Sequence, residues 1–100
     1  MKNLRESLIE KKLKITIEQL GGRCLKFVSP GACGVPDRIC LLPGGHITFV
    51  ETKSPGKKLK PLQVKRKKDF ERLGFQVKVI DSEIDIKNFL ADFVEKGGAE

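Results

Sequence analysis

The stretch 34–53 constrains the fold of this chain more than any other, because it has the pattern of a complete β-hairpin. Its sequence is GVPDRICLLPGGHITFVETK. A Pro-Gly-Gly turn separates two runs rich in β-branched and apolar residues, which predicts two antiparallel strands. Side chains alternate between the two faces of a strand, so Asp37 shares a face with Ile39. Glu51 and Lys53 share a face with the apolar residues before them.

Charge collects where these two apolar strand faces end. In a hairpin the start of the first strand lies beside the end of the second, so Asp37, Glu51 and Lys53 are predicted to meet at the rim of the core. Charges placed there are costly and often mark chemistry. The two carboxylates are hard oxygen ligands that suit Mg²⁺ or Mn²⁺. Lys53 could orient or deprotonate a water beside them. The group is therefore the minimum for metal-assisted hydrolysis of a phosphodiester, with a structural ion pair as the alternative.

The N-terminal segment from Asn3 to Leu20 is predicted to be a helix that Gly21-Gly22 stops. One stripe at helical spacing is apolar, and its members are Ile9, Leu13, Ile17 and Leu20. Glu6 and Glu10 extend the same stripe. They either lie exposed beyond the edge of the core or point at a site.

A second apolar stripe, on roughly the opposite side of this helix, consists of Leu4, Leu8 and Ile15. A helix that is apolar on two sides needs both covered. Either a partner chain or another part of the same domain could cover the second stripe.

The rest of the chain alternates short strand and helix patterns. A strand is predicted over 23–28, a loop of small residues over 29–34, a helix over 61–73 with an inner stripe of Leu62, Phe70 and Leu73, and a strand over 75–80. Asp81-Ser82 caps a last helix that ends at Gly97-Gly98. Together with the hairpin, this order predicts a single α/β domain, 1–100, arranged α-β-β-β-α-β-α around a mixed sheet.

The net charge of +7 is concentrated in the stretch 57–72, which holds eight basic and two acidic residues. Such a block suits a polyanion, because neutralised phosphates release condensed counterions. A merely solvated basic face is the alternative. The predicted DNA contacts are Lys57, Lys58, Lys60, Lys65, Arg66, Lys67 and Lys68 in this stretch, together with Arg38.

Cysteine use and hydropathy indicate the compartment. Cys24, Cys33 and Cys40 are odd in number and form no C-x-x-C pair, so free thiols are favoured over a zinc site shared with His46. No run is long enough for a membrane span, and the N-terminus lacks the apolar centre of a signal peptide. We therefore expect a cytoplasmic protein without a membrane association.

Four segments together resemble the VRR-NUC family, the virus-type replication-repair nucleases of the PD-(D/E)xK superfamily, in their stand-alone phage or bacterial form. They are GVPD at 34–37, FVETKSPG at 49–56, LQV at 62–64 and VID followed by serine at 79–82. With the acidic N-terminal helix, the resemblance covers nearly the entire chain. It implies the restriction-endonuclease-like fold of that superfamily.

The resemblance also implies roles for particular residues. Asp37 and Glu51 would be metal ligands, Lys53 the catalytic lysine, and Gln63 the helix glutamine that supports the site. From its position alone, Gln63 would be a solvated residue in the first turn of its helix.

Further metal ligands follow from the same resemblance. The family's helix acid falls on Glu6 or Glu10, with helical geometry slightly favouring Glu6, and both are within reach. The backbone carbonyl of Thr52, between two site residues, is a further candidate ligand.

The implied activity is that of a structure-selective DNA endonuclease dependent on Mg²⁺ or Mn²⁺, with no organic cofactor. Stand-alone members resemble Holliday-junction resolvases that act as homodimers, and the stripe of Leu4, Leu8 and Ile15 would suit a dimer. The alternatives are a related nuclease acting on flaps, ends or RNA, and a non-catalytic basic module that binds nucleic acid.

Overall fold

A computed structural model of the protein describes residues 3–95, and the elements follow the predicted order α-β-β-β-α-β-α. They are α1 (Leu4–Gln19), β1 (Arg23–Lys26), β2 (Arg38–Leu42), β3 (His46–Thr52), α2 (Pro61–Arg72), β4 (Gln76–Ile80) and α3 (Glu83–Glu95). The predicted stop at Gly97 and Gly98 lies outside the described residues. No helix within 3–95 has both the length and the apolar character that crossing a bilayer requires.

The four strands form one mixed sheet in the order β1-β2-β3-β4. β1 and β2 pair antiparallel, as do β2 and β3, whereas β3 and β4 pair parallel. A parallel pair needs a crossover connection, and α2 supplies it. The predicted mixed α/β sheet is therefore confirmed.

The predicted β2–β3 hairpin forms, with its strand ends side by side. Ile39 lies opposite Phe49, and the last pair is Arg38 opposite Val50. Gly44 and Gly45 in the turn have φ of 85° and 80°, values that glycine adopts without the steric cost of a side chain. The charged strand ends lie just beyond this last pair, side by side.

The face of the sheet covered by α1 and α3 holds the main core. α1 contributes the predicted stripe, with Ile9, Leu13 and Ile17 buried and Leu20 packed at its margin. The core is completed by Cys24, Cys40, Leu42, Val50 and Ile80 from the sheet and by Ile86, Phe89 and Phe93 from α3. Burying this much apolar surface holds α1 firmly against the sheet, which fixes where its acids lie.

The start of α3 has the predicted cap. The Asp85 N–H donates to Ser82 Oγ (3.2 Å), and the Asp81 N–H donates to Asp85 Oδ2 (3.0 Å). Asp81 also accepts from the Gly56 N–H (3.1 Å). Hydrogen bonding with Asp85, and then with Gly56, holds the pKa of Asp81 below its usual value. The segment after β3 is thereby tied to the start of α3.

An aromatic cluster covers the other face of the sheet. The Phe49 ring lies 4.8 Å from that of Phe70 in α2, 5.3 Å from Phe27 and 5.7 Å from Phe75, measured between centroids. These distances suit tilted and edge-to-face aromatic pairs. Phe70 thus anchors α2 over the sheet.

The rest of α2 is attached more loosely than its predicted stripe implies, and no residue of this helix is fully buried. The predicted inner stripe is wrong at both ends of the helix, since Leu62 is 41% exposed and Leu73 is 73% exposed. Most of the helix surface is therefore left for its basic residues.

The three cysteines are free thiols, as predicted. Cys24 and Cys40 lie opposite each other across β1 and β2, both buried. The hydrogen bond between their side chains lowers the pKa of Cys24 and raises that of Cys40, which is also raised by burial. Within residues 3–95, no three His, Cys, Asp or Glu side chains are grouped to hold a metal ion, so the zinc site with His46 does not form.

Candidate active site

Asp37 and Glu51 lie together at the open end of the β2–β3 hairpin. Extending the register by one residue beyond the Arg38–Val50 pair places Asp37 opposite Glu51. Directly opposed residues on antiparallel strands have Cβ atoms about 4.5–5.5 Å apart. Glu51 is buried and Asp37 is half-buried. Carboxylates in such positions need polar partners, and both have them.

Glu51, Lys53 and Gln63 form a closed triangle of polar contacts. Lys53 Nζ donates to Gln63 Oε1 (2.9 Å), and Gln63 Nε2 donates to Glu51 Oε2 (3.3 Å). Lys53 Nζ lies 3.8 Å from the same Glu51 oxygen. The three side chains therefore hold one another in position, with Gln63 between the acid and the amine.

Gln63 reaches the triangle because α2 begins beside the end of β3. Pro61 is the first residue of the helix, where its missing N–H costs nothing. Gln63 Oε1 also accepts from the Lys60 N–H (2.8 Å), which satisfies a backbone donor at the helix start. Gln63 is half-buried and bonded on both sides, so it is not the solvated residue that its sequence position alone favours.

Thr52 holds Asp37 through both of its donors. Its N–H donates to Asp37 Oδ1 (3.0 Å) and its hydroxyl donates to Asp37 Oδ2 (2.7 Å). The family resemblance implied a role for the backbone carbonyl of Thr52 and none for its side chain. Alternation along β3 indicates that this side chain lies on the face opposite Glu51, so no local signal pointed to the contact.

The two acids of α1 are placed differently. Arg38 donates from Nε to Glu10 Oε1 (2.9 Å), and Arg38 Nη2 lies 2.8 Å from the same oxygen, with both side chains 12% exposed. Glu6 lies one turn earlier, half-buried, with its N–H bound to Asn3 Oδ1 (2.8 Å). Glu10 is thereby engaged with a guanidinium.

The pairing of Glu10 bears on two predictions. No three His, Cys, Asp or Glu side chains in the described part of the chain are grouped to hold a metal ion, and the roles of Glu6 and Glu10 as ligands stay predictions. Arg38 is held at Glu10 and not alongside the cations of α2. Its role as a DNA contact stays a prediction.

Comparisons with known proteins indicate the family to which the chain belongs. No family model matches the sequence. The chain is 47% identical over 90 residues to the protein named "Putative nuclease p44" of Acyrthosiphon pisum secondary endosymbiont phage 1, a match that spans 90% of this chain and 96% of that one. A solved VRR-NUC domain matches with a TM-score of 0.83 and 31% identity, over 89% of this chain and 97% of that chain. The protein belongs to the VRR-NUC family. It has the fold of these hydrolytic nucleases, whose substrates are nucleic acids.

The VRR-NUC site has oxygen donors that fit a hard divalent cation. Mg²⁺ is commonly bound through one or two carboxylates, with waters and substrate phosphates completing its shell. The protein would supply three oxygen ligands to such a cation, from Asp37, Glu51 and the backbone carbonyl of Thr52. The donor chemistry therefore fits Mg²⁺ or Mn²⁺.

The basic surface of this VRR-NUC protein divides into two kinds of residue. Arg66 donates from Nε to the carbonyl of Cys33 (2.8 Å), and Lys67 pairs with Glu71 (2.8 Å). The exposed members are Lys57, Lys58, Lys60, Lys65 and Lys68. Lys57, Lys58 and Lys60 come just before α2, and Lys65 and Lys68 lie within it, so all five present their charge to solvent along this part of the chain.

A cavity of about 320 Å³ lies at the other end of β3 and is not the candidate site. His46 lines it, with its ring 5.5 Å from that of Phe93 in an edge-on arrangement. Five residues of strand separate His46 from Glu51, roughly 17 Å at the usual rise. His46 is exposed and lies far along the strand from the cluster around Lys53.

Proposed function

We propose that this protein is a Mg²⁺- or Mn²⁺-dependent DNA endonuclease that selects branched DNA, in the manner of a Holliday-junction resolvase, and acts as a homodimer in the cytoplasm. The observation that carries the proposal is the triangle of Glu51, Lys53 and Gln63 beside Asp37. A salt bridge needed only for stability would not require an amide to bridge the acid and the amine while a second carboxylate lies opposite.

Each side chain has a distinct part in the proposed hydrolysis. When held by Asp37, Glu51 and the Thr52 carbonyl, the cation would supply Lewis-acid charge that polarises the scissile phosphate. Lys53 would orient the attacking water and stabilise the negative charge that develops on the phosphate oxygens. Gln63 would hold Lys53 Nζ on the substrate side of Glu51. Water adds to phosphorus as the bond to the leaving oxygen breaks.

The exposed lysines beside α2 would hold the DNA backbone. Contacts of this kind position the duplex without reading its sequence, which suits an enzyme that selects by shape. They also make binding dependent on salt, since each phosphate neutralised releases counterions.

A cleavage assay tests the proposal. We expect a labelled four-way junction to be cut with Mg²⁺ or Mn²⁺, a linear duplex to be cut far more slowly, and neither to be cut in EDTA. If flaps, ends or RNA were cut in preference to the junction, the proposed hydrolysis would stand and the proposed substrate would change. Cleavage that persists in EDTA would contradict the metal requirement. Binding without cleavage under all conditions would favour the non-catalytic module.

The homodimer rests on the second stripe of α1. Leu4, Leu8 and Ile15 are 76%, 50% and 45% exposed. An exposed apolar stripe on one helix suits a two-fold contact with a second copy, and two cuts across a junction require approximate two-fold symmetry.

We expect the protein to sediment as a dimer at micromolar concentration and Leu8→Glu to convert it to a monomer, because a charge would be buried at the contact. Val28→Glu is the matched control, since Val28 is an exposed apolar residue two positions after the end of β1. A wild-type monomer under these conditions, or a Leu8→Glu variant that stays dimeric, would contradict this contact.

A further inference from the structure

We infer that the side chain of Thr52 is a positioning residue of this site: its hydroxyl and N–H together hold the Asp37 carboxylate in the orientation that binds the cation. The inference rests on the proposed metal-dependent function. It assigns a requirement to the middle residue of the Glu51-Thr52-Lys53 tripeptide, which a Glu-x-Lys pattern leaves open.

The reason for the contact lies in how the hairpin ends. Pairing between β2 and β3 stops at Arg38 opposite Val50. Two residues along β3, the Thr52 N–H faces β2 again, because backbone groups alternate in direction. The residue opposite Thr52 in this register is Pro36, which has no N–H to donate to the Thr52 carbonyl, so the reciprocal pair of ladder hydrogen bonds cannot form there. The Asp37 carboxylate accepts the Thr52 N–H in place of a strand carbonyl (3.0 Å).

The Thr52 hydroxyl adds a second hydrogen bond to the Asp37 carboxylate. Thr52 Oγ1 donates to Asp37 Oδ2 at 2.7 Å while the N–H donates to Oδ1, so both carboxylate oxygens are fixed by one residue. The short distance is typical of a hydroxyl donating to a carboxylate. Because both oxygens are hydrogen-bonded, rotation about the side-chain bonds of Asp37 is restricted, and its carboxylate stays opposite Glu51.

Burial makes Thr52 itself rigid. Its residue surface is 1% exposed, so the side chain has little room to move. A β-branched side chain has few χ1 options, and here the methyl group packs while the hydroxyl is aimed at Asp37. Thr52, held in place by its burial, thereby fixes the orientation of Asp37 at the edge of the core. Hydrogen-bond partners of metal ligands commonly have this role.

The test uses the DNA-free protein and Mn²⁺ as the probe, with binding measured by calorimetry. Thr52→Val keeps the shape and removes the hydroxyl, and we expect Mn²⁺ affinity to fall about 10–100-fold, the usual effect of losing an outer partner. The Mn²⁺ concentration that gives half-maximal cleavage should rise by a similar factor. Thr52→Ser, which keeps the hydroxyl, should stay close to wild type.

Thr48→Val is the matched control, because Thr48 is a buried threonine on the same face of the same strand, four residues away. It should leave Mn²⁺ binding unchanged. Wild-type affinity in Thr52→Val would overturn this inference alone. A wild-type protein that binds no Mn²⁺ would overturn the metal-dependent function and this inference with it.

A second measurement does not depend on the Thr52 variants folding. In Asp37→Ala the acceptor of the Thr52 N–H is gone, so we expect amide exchange at Thr52 to accelerate more than about tenfold. The Lys53 N–H donates to the Ile80 carbonyl (2.9 Å) and provides the internal reference, which should not change. Unchanged exchange at Thr52 would show that Asp37 does not hold it.

Discussion

Replacing Lys53 with methionine is expected to lower the rate of DNA cleavage about 10²–10³-fold, the usual cost of removing one group that stabilises developing charge. Lys53 Nζ is placed by Gln63 Oε1 at 2.9 Å and lies 3.8 Å from Glu51. Methionine keeps the apolar stem and removes the donor, so the helix and strand around it should remain in place. Single-turnover cleavage of the preferred substrate, with DNA binding measured separately, gives the effect on chemistry.

Lys87→Met provides the comparison for Lys53→Met. Lys87 is exposed on α3, on the face of the sheet opposite α2, and its loss changes the net charge equally. We expect cleavage by this variant to stay within about twofold of wild type, because a distant solvent-exposed charge is screened by salt. If Lys53→Met cleaved DNA as fast as Lys87→Met, Lys53 would have no part in catalysis.

Leu13→Ala is expected to destabilise the protein by about 2–5 kcal/mol, the range for removing a leucine side chain from a packed core. Leu13 is completely buried at the centre of the α1 stripe. For a domain of this size each kcal/mol shifts Tm by about 4–8 °C, so the melting temperature should fall by at least about 8 °C. Thermal and denaturant unfolding, each followed by circular dichroism, measure the loss.

Leu73→Ala is the control for that core substitution, since Leu73 is the same residue type and mostly exposed after α2. Its effect should stay within about 0.5 kcal/mol, as for other surface positions. Equal destabilisation by the two variants would mean that α1 is not held to the sheet through Leu13.

Much of this fold was predictable because its signals are local. The two-residue period of the hairpin set Ile39 opposite Phe49, since apolar faces of paired strands must coincide. The 3.6-residue period of α1 identified Ile9, Leu13 and Ile17 as buried. Leu62 and Leu73 were predicted wrongly, because periodicity cannot show how much of α2 contacts the sheet.

Parts of the candidate site were predictable in the same way. Asp37, Glu51 and Lys53 come together because hairpin geometry requires their strand ends to be adjacent. Gln63 is different, since its bonds to Glu51 and Lys53 depend on where the crossover helix begins relative to β3. Only the family resemblance indicated its place, and its position in the sequence favoured a solvated side chain.

By itself, the sequence determined the hairpin, the order of elements, the buried stripe of α1 and the acid–acid–lysine group, because alternation, helical periodicity and turn chemistry act over a few residues. Only the tertiary structure decided which partner each polar group takes. Glu10 is bound by Arg38, 28 positions along the chain, and Asp37 by Thr52, 15 positions along. Such choices are made by how α1, β2 and β3 pack against one another, and no local pattern encodes them.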